Sequence, residues 1–132
     1  MTTGRSTSLR AAGRADEKRE LRAYPVNDDG ALGEYGVLHD FGAHRGIDGM
    51  VLDTGGNIIA TAGYQAGGPG PMIYVFSPRG QVIESHPVPT DRPTNCSFAG
   101  PDLSTLYVTT IDGYLYRAET DRQGRLLYPP AS

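Results

Sequence analysis

Residues 46–61 read GIDGMVLDTGGNIIAT, and this stretch decides the fold. A short apolar run at 50–52 leads into residues 53–57, whose glycines tolerate positive φ and whose Asp and Asn side chains can bond to their own backbone. A second run of β-forming residues follows at 58–61. The pattern therefore predicts a β-hairpin with Asp48 at the entrance of its first strand.

The same pattern is repeated further along the chain. Residues 95–98 and 106–109 are predicted strands, and the sequence Gly-Pro-Asp at 100–102 forms the turn between them. Each hairpin is followed by an apolar or aromatic run, a glycine turn and a further strand. These runs and glycines are 21–24 with Gly30, 73–76 with Gly80, and 115–116 with Gly124. A unit of four short strands in about 40–50 residues is typical of one blade of a β-propeller.

These residues resemble a known family. Residues 46–58, then 73–80 (IYVFSPRG), then 92–98 (RPTNCSF) and 106–109 are similar to the C-terminal part of the gluconolactonase/regucalcin (senescence-marker) family of six-bladed β-propeller lactonases. The resemblance covers roughly residues 20–128. It depends on an Asp-Gly-Met element and a Pro-Thr-Asn-Cys element that occur in the right order. It implies a partial propeller, because counterparts of the first half or more of a family member are absent.

Length and composition are those of a β-rich protein. The 132 residues are enough for one core but too few for a closed propeller, which needs at least about four blades of ~40 residues. The net charge of −3 is against a general nucleic-acid binder. The single cysteine, Cys96, is expected to be buried, and no apolar run is long enough for a membrane span or a signal core. We therefore expect a soluble cytoplasmic protein without nucleic-acid or membrane partners.

The expected fold class is all-β, a partial β-propeller of about two and a half four-stranded antiparallel blades. Residues 1–20, rich in Ser, Thr, Arg and Ala, are expected to form a flexible N-terminal arm, with a weak basic contact for a partner as the alternative. Residues 21–132 would then form the partial gluconolactonase-like domain. Its Gly- and Pro-rich stretch 63–71 is expected to be a long connection that caps or lines the channel mouth.

Asp48 is the principal candidate for chemistry. Links between blades run from the outer strand of one blade to the axis of the next. Residues 42–46 should therefore deliver Asp48 to the central channel, with Asn95 at the equivalent place one blade later. A carboxylate there is a hard oxygen ligand for a divalent cation, and Gly49 leaves room for close approach. The alternative is that Asp48 is only a turn residue that begins a strand.

The family resemblance adds a role for Asp48. The Asp of the family's Asp-Gly-Met element is a metal ligand with an assigned general-base role. This implies a residue that holds a Ca or Zn ion and helps to activate water against a sugar lactone. The family's other ligands, a Glu near the start and an Asn in a middle blade, fall in the absent part. We therefore expect a truncated lactonase that is weakly active or inactive unless partner chains supply the missing blades.

Three further residues are candidate substrate contacts. Asn95 and Thr94 either lie beside the ion or substrate, or satisfy backbone groups at the strand end. His44, with Arg45 beside it, either contacts an anionic sugar acid or is solvated surface. No Lys follows the glycines at 67–70, and no Ser lies in a nucleophile elbow. A P-loop and a serine hydrolase are therefore both disfavoured.

Two functions of different classes remain open. The first is metal-dependent hydrolysis of a sugar lactone, with Asp48 as ligand and base. The second is a non-catalytic propeller fragment that serves as a binding or assembly module, because open sheet edges and uncovered blade faces invite association. In the second case the chain would form a homo-oligomer or would join the missing blades on another chain.

Overall fold

The structure, a computed structural model, describes residues 7–12 and 19–126. Those residues form ten β-strands and no helix, so the described part contains no helix that could cross a membrane. A cytoplasmic location stays a prediction. In chain order the strands are β1 (Thr7–Ala12), β2 (Glu20–Pro25), β3 (Gly36–Asp40), β4 (Ile47–Leu52), β5 (Ile58–Tyr64), β6 (Gly67–Phe76), β7 (Val82–Pro87), β8 (Pro93–Ala99), β9 (Thr105–Thr110) and β10 (Leu115–Glu119).

Strands that follow one another in the chain pair antiparallel and form three sheets. The first sheet has the order β1-β2-β3, the second β4-β5-β6-β7, and the third β8-β9-β10. Each sheet is a simple meander, which is the arrangement of a propeller blade. The predicted all-β class and partial propeller are confirmed. The described sheets have three, four and three strands, where about two and a half four-stranded blades were expected.

The hairpin predicted from residues 46–61 is formed by β4 and β5, and its turn is built around Asp53. Oδ1 of Asp53 accepts hydrogen bonds from the backbone N–H groups of Gly55 and Asn57, both at 2.9 Å. Oδ2 accepts a hydrogen bond from Asn57 Nδ2 at 3.0 Å. Gly56 has a φ of +79°, where a side chain would be strained. Because the Asp53 side chain is buried, it fixes the turn from within.

Two apolar clusters hold the sheets together. Side chains alternate along each strand, so the second sheet offers one face to the first sheet and the other face to the third. The cluster between the first and second sheets contains Leu21, Ile58, Ala60 and Phe76. The cluster between the second and third sheets contains Ile59, Ile73, Val75, Val88, Cys96, Phe98, Leu106 and Val108. Among the described residues, the second sheet is covered on both faces, whereas the first and third sheets each keep one open face.

One cross-strand row on the open face of the third sheet is polar, whereas Leu115 on the same face is an exposed apolar residue. In the second sheet, the cross-strand row that packs towards the third sheet is Val51–Ile59–Val75. The row with the same register in the third sheet is Ser97–Tyr107–Arg117. The first and last residues of this second row are exposed. The branched aliphatic side chains of the covered sheet are thus replaced by side chains that tolerate water.

The stretch 1–20, expected to be a flexible arm, contains β1. This strand pairs with β2 from Thr7↔Pro25 to Ala12↔Glu20. Its Leu9 packs against the cluster between the first and second sheets. The structure therefore differs from the expected arm at residues 7–12, because composition does not reveal that a single apolar residue has a partner. Residues 1–6 and 13–18 lie outside the described residues, so a domain boundary at residue 20 stays a prediction.

The long connection expected at 63–71 is wrong, because most of this stretch extends a hairpin. β5 ends at Tyr64 and β6 begins at Gly67. Gly63 has a φ of +81°, and a Cβ atom there would lie 2.0 Å from the carbonyl oxygen of Gly70. The glycines that indicate a loop in the sequence instead let two paired strands approach closely.

After β10 the chain returns towards the second sheet, and the described residues do not form the further strand expected near Gly124. A Cβ atom on Gly124 would lie 2.4 Å from Phe98 Cβ, so the chain passes tightly over the third sheet. Arg122 NH1 donates a hydrogen bond to Asp53 Oδ2 at 3.0 Å, and Arg122 NH2 pairs with the Glu84 carboxylate. This returning segment ties the third sheet to both edges of the second.

Candidate functional site

Asp48 is the extra residue of a β-bulge at the start of β4. Ile47 pairs with Ala62 and Gly49 pairs with Thr61, which leaves Asp48 without a partner in β5. A bulge re-aims the side chain of its extra residue, and the Asp48 side chain is 48% exposed. The carboxylate is therefore accessible at the point where β4 begins.

Arg45 holds the Asp48 carboxylate in place. Its NH2 group donates a hydrogen bond to Asp48 Oδ2 at 3.0 Å. NH1 donates to the carbonyl oxygen of Gly63 at 2.7 Å, and both NH1 and NH2 donate to the carbonyl oxygen of Pro93 at 3.2 Å. Gly63 lies in β5 and Pro93 begins β8. One guanidinium group therefore links three strands at the end where β4 and β8 begin.

Strands β4 and β8 meet at Gly49 and Asn95. A Cβ atom on Gly49 would lie 2.3 Å from Asn95 Oδ1 and 2.7 Å from Asn95 Cα, so a larger residue does not fit. Asp48 is thus adjacent to the residue that touches Asn95. Asn95 is exposed, and its Oδ1 accepts a hydrogen bond from the N–H group of Cys96 at 2.9 Å. Its role as a substrate contact stays a prediction.

The counterpart of Asp48 in the third sheet is Thr94 and not Asn95. Asn95 pairs with Thr109, which leaves Thr94 as the extra residue of a matching bulge. Thr94 Oγ1 donates to the carbonyl oxygen of Thr109 at 3.2 Å and lies 2.9 Å from Thr109 Oγ1. The expected equivalence of Asp48 and Asn95 is therefore displaced by one residue. The role of Thr94 in substrate binding stays a prediction.

A cavity of about 230 Å³ lies beside Arg45. His44 covers one wall, since a Cβ atom on Gly67 would lie 3.3 Å from His44 Nδ1 and one on Gly68 would lie 3.0 Å from His44 Cγ. The other lining residues are His39, Asp40, Phe41, Gly63, Pro69, Gly70 and Tyr74. A small cavity that combines aromatic rings with polar atoms suits a small polar ligand such as a sugar.

Burial changes the ionisation of two groups that line this cavity. Burial raises the pKa of the Tyr74 hydroxyl above its usual range. Burial also lowers the pKa of the His39 imidazole, and the nearby Asp40 carboxylate opposes this change. The His39 ring lies against Phe41 and Phe76, with centroid distances of 4.5 and 5.1 Å. Both groups are therefore neutral near pH 7 and offer hydrogen bonds to a ligand, not charge.

The family profile described as "SMP-30/Gluconolactonase/LRE-like region" matches residues 16–112 of the chain. The chain belongs to this family. A 6-deoxy-6-sulfogluconolactonase from Pseudomonas putida is 35% identical over 92 residues, which cover 68% of this chain and 30% of that protein. Pentonolactonase XacC from Haloferax volcanii is 36% identical over 66 residues, which cover 50% of this chain and 21% of that protein.

A solved structure of the SMP-30/gluconolactonase family shows the same fold. The calcium-binding protein regucalcin from Agrobacterium tumefaciens has a TM-score of 0.65 at 25% identity, and the match covers 80% of this chain and 40% of that one. This chain spans less than half the length of each of these three relatives. The resemblance inferred from the sequence is therefore confirmed, for a chain that corresponds to part of its relatives.

The SMP-30/gluconolactonase family resemblance implies a divalent cation, but the described residues alone do not fit one. Within 7–12 and 19–126, no group of three or more His, Cys, Asp or Glu side chains is placed to hold a metal ion. Asp48 supplies one carboxylate, whereas calcium takes about 6–8 oxygen ligands. One oxygen of this carboxylate is already bound by Arg45. The metal-binding and catalytic roles of Asp48 stay predictions.

A larger cavity, of about 530 Å³, lies between the second and third sheets. It is lined by apolar side chains of the cluster shared by these sheets and by polar residues that include Glu84, His86, Glu119, Asp121 and Arg122. None of the predicted site residues lines it. We therefore favour the smaller cavity beside Arg45, because the predicted site residue His44 lines it.

Sequence reasoning missed Arg122 and placed Cys96 correctly. The partners of Arg122, Asp53 and Glu84, are 69 and 38 residues away in the chain, so no local pattern indicates them.

Cys96 is buried, and burial raises the pKa of its thiol to about 12. The expectation of a buried cysteine is confirmed, and a thiol with this pKa is a poor nucleophile near pH 7.

Proposed function

We propose that this chain supplies the catalytic carboxylate of a sugar-lactone hydrolase and that this carboxylate is Asp48. One observation carries the proposal: a half-exposed carboxylate is held by a guanidinium group that also lines a cavity of sugar size. Family membership supports the reaction class. The names of two relatives, a 6-deoxy-6-sulfogluconolactonase and a pentonolactonase, support a sugar lactone as the substrate class.

Asp48 differs from Asp53, the second Asp of the same hairpin, in what its oxygens bind. Both Asp53 oxygens accept hydrogen bonds from the turn or from Arg122, and the side chain is buried. In Asp48, Oδ2 is bound by Arg45, and Oδ1 has no hydrogen bond within the described part of the chain. Asp53 therefore has a structural role, whereas Asp48 Oδ1 is available to water or substrate.

In the proposed step Asp48 acts as a general base. Oδ1 takes a proton from a water molecule while the water oxygen attacks the carbonyl carbon of the lactone. The ring C–O bond then breaks, and the ring oxygen receives the proton from Asp48. The product is the open-chain hydroxy acid. Arg45 contributes by fixing the orientation of the carboxylate, which keeps it within reach of the attacking water.

The sugar part of the lactone lies, in this proposal, in the cavity of about 230 Å³. His44 is positioned on its wall to bond a sugar hydroxyl or an acidic substituent. Asn95 and Thr94 contact the substrate from the side of β8. A divalent ion, Ca or Zn, takes part only if ligands beyond the described residues join Asp48, and the calcium-binding relative supports such an ion in this family. When bound, an ion of this kind would polarise the lactone carbonyl.

The test is hydrolysis of a sugar δ-lactone by the purified chain, followed as acid release at constant pH after subtraction of the uncatalysed rate. We expect Asp48→Asn to lower the rate by about 10²–10⁴-fold, because it removes the base. Asp28→Asn removes the same charge in an exposed turn and should keep the wild-type rate. Parallel assays with EDTA, Ca²⁺ or Zn²⁺ measure the contribution of an ion. Equal rates for Asp48→Asn and wild type would remove Asp48 from the mechanism.

The second candidate function is a non-catalytic binding or assembly module that partner chains complete. It is favoured by the β9–β10 hairpin, where Ile111, Tyr114 and Leu115 are 59%, 55% and 64% exposed. Among the described residues β10 is an edge strand that begins with the exposed Leu115, and an exposed edge strand can pair with another chain. The partner is either a second copy or a polypeptide that carries further blades.

Sedimentation velocity tests this second candidate. A discrete oligomer that dissociates in Leu115→Glu, with lactonase activity absent from wild type and Asp48→Asn alike, supports assembly as the function. A monomer at all concentrations, with activity that depends on Asp48, supports the hydrolase.

A further inference from the structure

We propose that Arg45 is a built-in counter-ion that occupies a cation-binding cage made by Asp48, Gly63 and Pro93, and that it thereby keeps divalent cations off Asp48. The inference rests on the proposed function only in taking Asp48 as the carboxylate of the site. The inference concerns whether this carboxylate binds the Arg45 guanidinium or a divalent cation, and its test uses no lactone.

The cage consists of three oxygen atoms from three different strands. The guanidinium of Arg45 lies 3.0 Å from Asp48 Oδ2, 2.7 Å from the Gly63 carbonyl oxygen and 3.2 Å from the Pro93 carbonyl oxygen. A carboxylate oxygen and backbone carbonyl oxygens are the hard ligands that calcium prefers. All three accept hydrogen bonds from the NH1 and NH2 atoms of one guanidinium group, so they surround the same positive charge.

Arg45 is firmly held in this position. Its side chain is 19% exposed, whereas that of Asp48 is 48% exposed. Four hydrogen bonds fix the plane of the guanidinium, and the N–H group of Gly63 donates a further bond to the carbonyl oxygen of Arg45 at 3.2 Å. The side chain is therefore part of the structure of the strand ends and not a mobile surface group.

The charge of Arg45 opposes a second cation at the same place. The Arg45–Asp48 pair is neutral as a unit, so a divalent ion at Asp48 would meet a full positive charge a few ångströms away. The described residues offer no group of three metal-ligating side chains to compensate. Removal of the guanidinium should therefore free the three oxygens from this donor and open a site for a cation.

The experiment is titration of the purified chain with Tb³⁺, read by luminescence, and with Ca²⁺, read by calorimetry. We expect Arg45→Ala to bind Tb³⁺ at least about tenfold more tightly than wild type. Arg45→Lys keeps the charge and loses the planar fork, so it should bind as weakly as wild type. In the double variant Arg45→Ala with Asp48→Asn, the gain should disappear.

Arg79→Ala is the matched control, since it removes the same charge from an exposed turn. Thermal unfolding shows whether each variant folds. If Arg45→Ala does not fold, Arg45→Gln takes its place, because it removes the charge and keeps an amide donor for a carbonyl. Equal affinity in wild type and the folded neutral variant would overturn the proposal, as would an equal gain in Arg79→Ala. The loss of lactonase activity in any variant does not affect this result, so the two proposals fail separately.

Discussion

The backbone of Gly49 packs directly against Asn95, with no room for a Cβ atom between them. This contact sets how closely the first strands of the second and third sheets approach each other. The carboxylate of Asp48 is one residue away, so the same contact fixes where the proposed catalytic group lies.

Gly49→Ala should therefore destabilise the protein. The new Cβ atom would lie 2.3 Å from Asn95 Oδ1 and 2.7 Å from Asn95 Cα, and overpacking against backbone typically costs about 1–3 kcal/mol. Urea unfolding at pH 7 measures the change. Gly36→Ala is the control, since a Cβ atom there meets nothing within 4 Å. Its effect should be within about 0.5 kcal/mol. A similar loss in both variants would mean that the cost comes from replacing a strand glycine and not from the contact with Asn95.

Asp53→Asn should cost about 2–4 kcal/mol in the free energy of unfolding. The carboxylate accepts bonds from two backbone N–H groups, from Asn57 Nδ2 and from Arg122. The NH2 group of an asparagine at this position would face N–H donors where a carboxylate oxygen now accepts, and Arg122 would lose the charge of one of its partners. Urea unfolding measures the loss, and Asp28→Asn in an exposed turn should stay close to wild type. A loss smaller than about 0.5 kcal/mol would contradict the structural role assigned to Asp53.

Asp53 should also make stability depend on pH in the acid range. Burial acts to raise the pKa of this carboxyl, but hydrogen bonds from Asn57, Arg122 and Gly55 outweigh it and hold the pKa below the ordinary value of 3.8. A carboxyl with a lowered folded-state pKa contributes stability above its ordinary pKa and loses it as the pH falls through the lowered value. Unfolding free energies between pH 5 and 3 should therefore fall more steeply in wild type than in Asp53→Asn.

Arg122→Met should release Glu84 as well as Asp53. The hydrogen bond from Arg122 is the largest influence on Glu84 and holds the pKa of its carboxyl below the usual range. Without the guanidinium, we expect this pKa to rise towards its ordinary value, which an NMR titration of the side-chain carboxyl carbon detects. Arg117→Met, on the open face of the third sheet, is the control. An unchanged Glu84 titration would show that the ion pair does not persist in solution.

His39 should add a second pH dependence near neutrality. Burial lowers the pKa of its imidazole, so the unfolded chain takes up a proton at a higher pH than the folded protein does. Stability should then decrease as the pH falls from about 6.5 towards the lowered folded-state value. Melting temperatures at pH 8 and pH 5 measure this slope, which His39→Gln should reduce. A slope in His39→Gln equal to that of wild type would contradict this assignment.

The hairpins and their order could be predicted from the sequence because their signals are local. Asp53 and the glycines after it indicate a turn by their own chemistry, and the apolar runs on either side have the length of strands. The bulge at Asp48 could not be predicted in this way. A spacing counted along the chain pairs Asp48 with Asn95, whereas the register in the sheet pairs it with Thr94.

Other features depend on partners that are distant in the sequence. The strand at residues 7–12 pairs with β2, and its Leu9 packs against the cluster between the first and second sheets. The glycines at 63–71 indicate a loop by composition, but Gly63 and Gly70 face each other in a hairpin. In the sequence Arg45 is only a neighbour of His44, whereas the oxygens that it binds come from three strands that are distant in the chain. Long-range contacts of this kind leave no trace in local composition.

The polar row on the open face of the third sheet has a practical meaning for protein engineering. An additional blade grafted after β10 would meet this hydrated row, where its apolar side chains would gain less free energy by docking than against the second sheet. To add a blade, this row would first have to be made apolar. The changes that copy the second sheet are Ser97→Val, Tyr107→Ile and Arg117→Val.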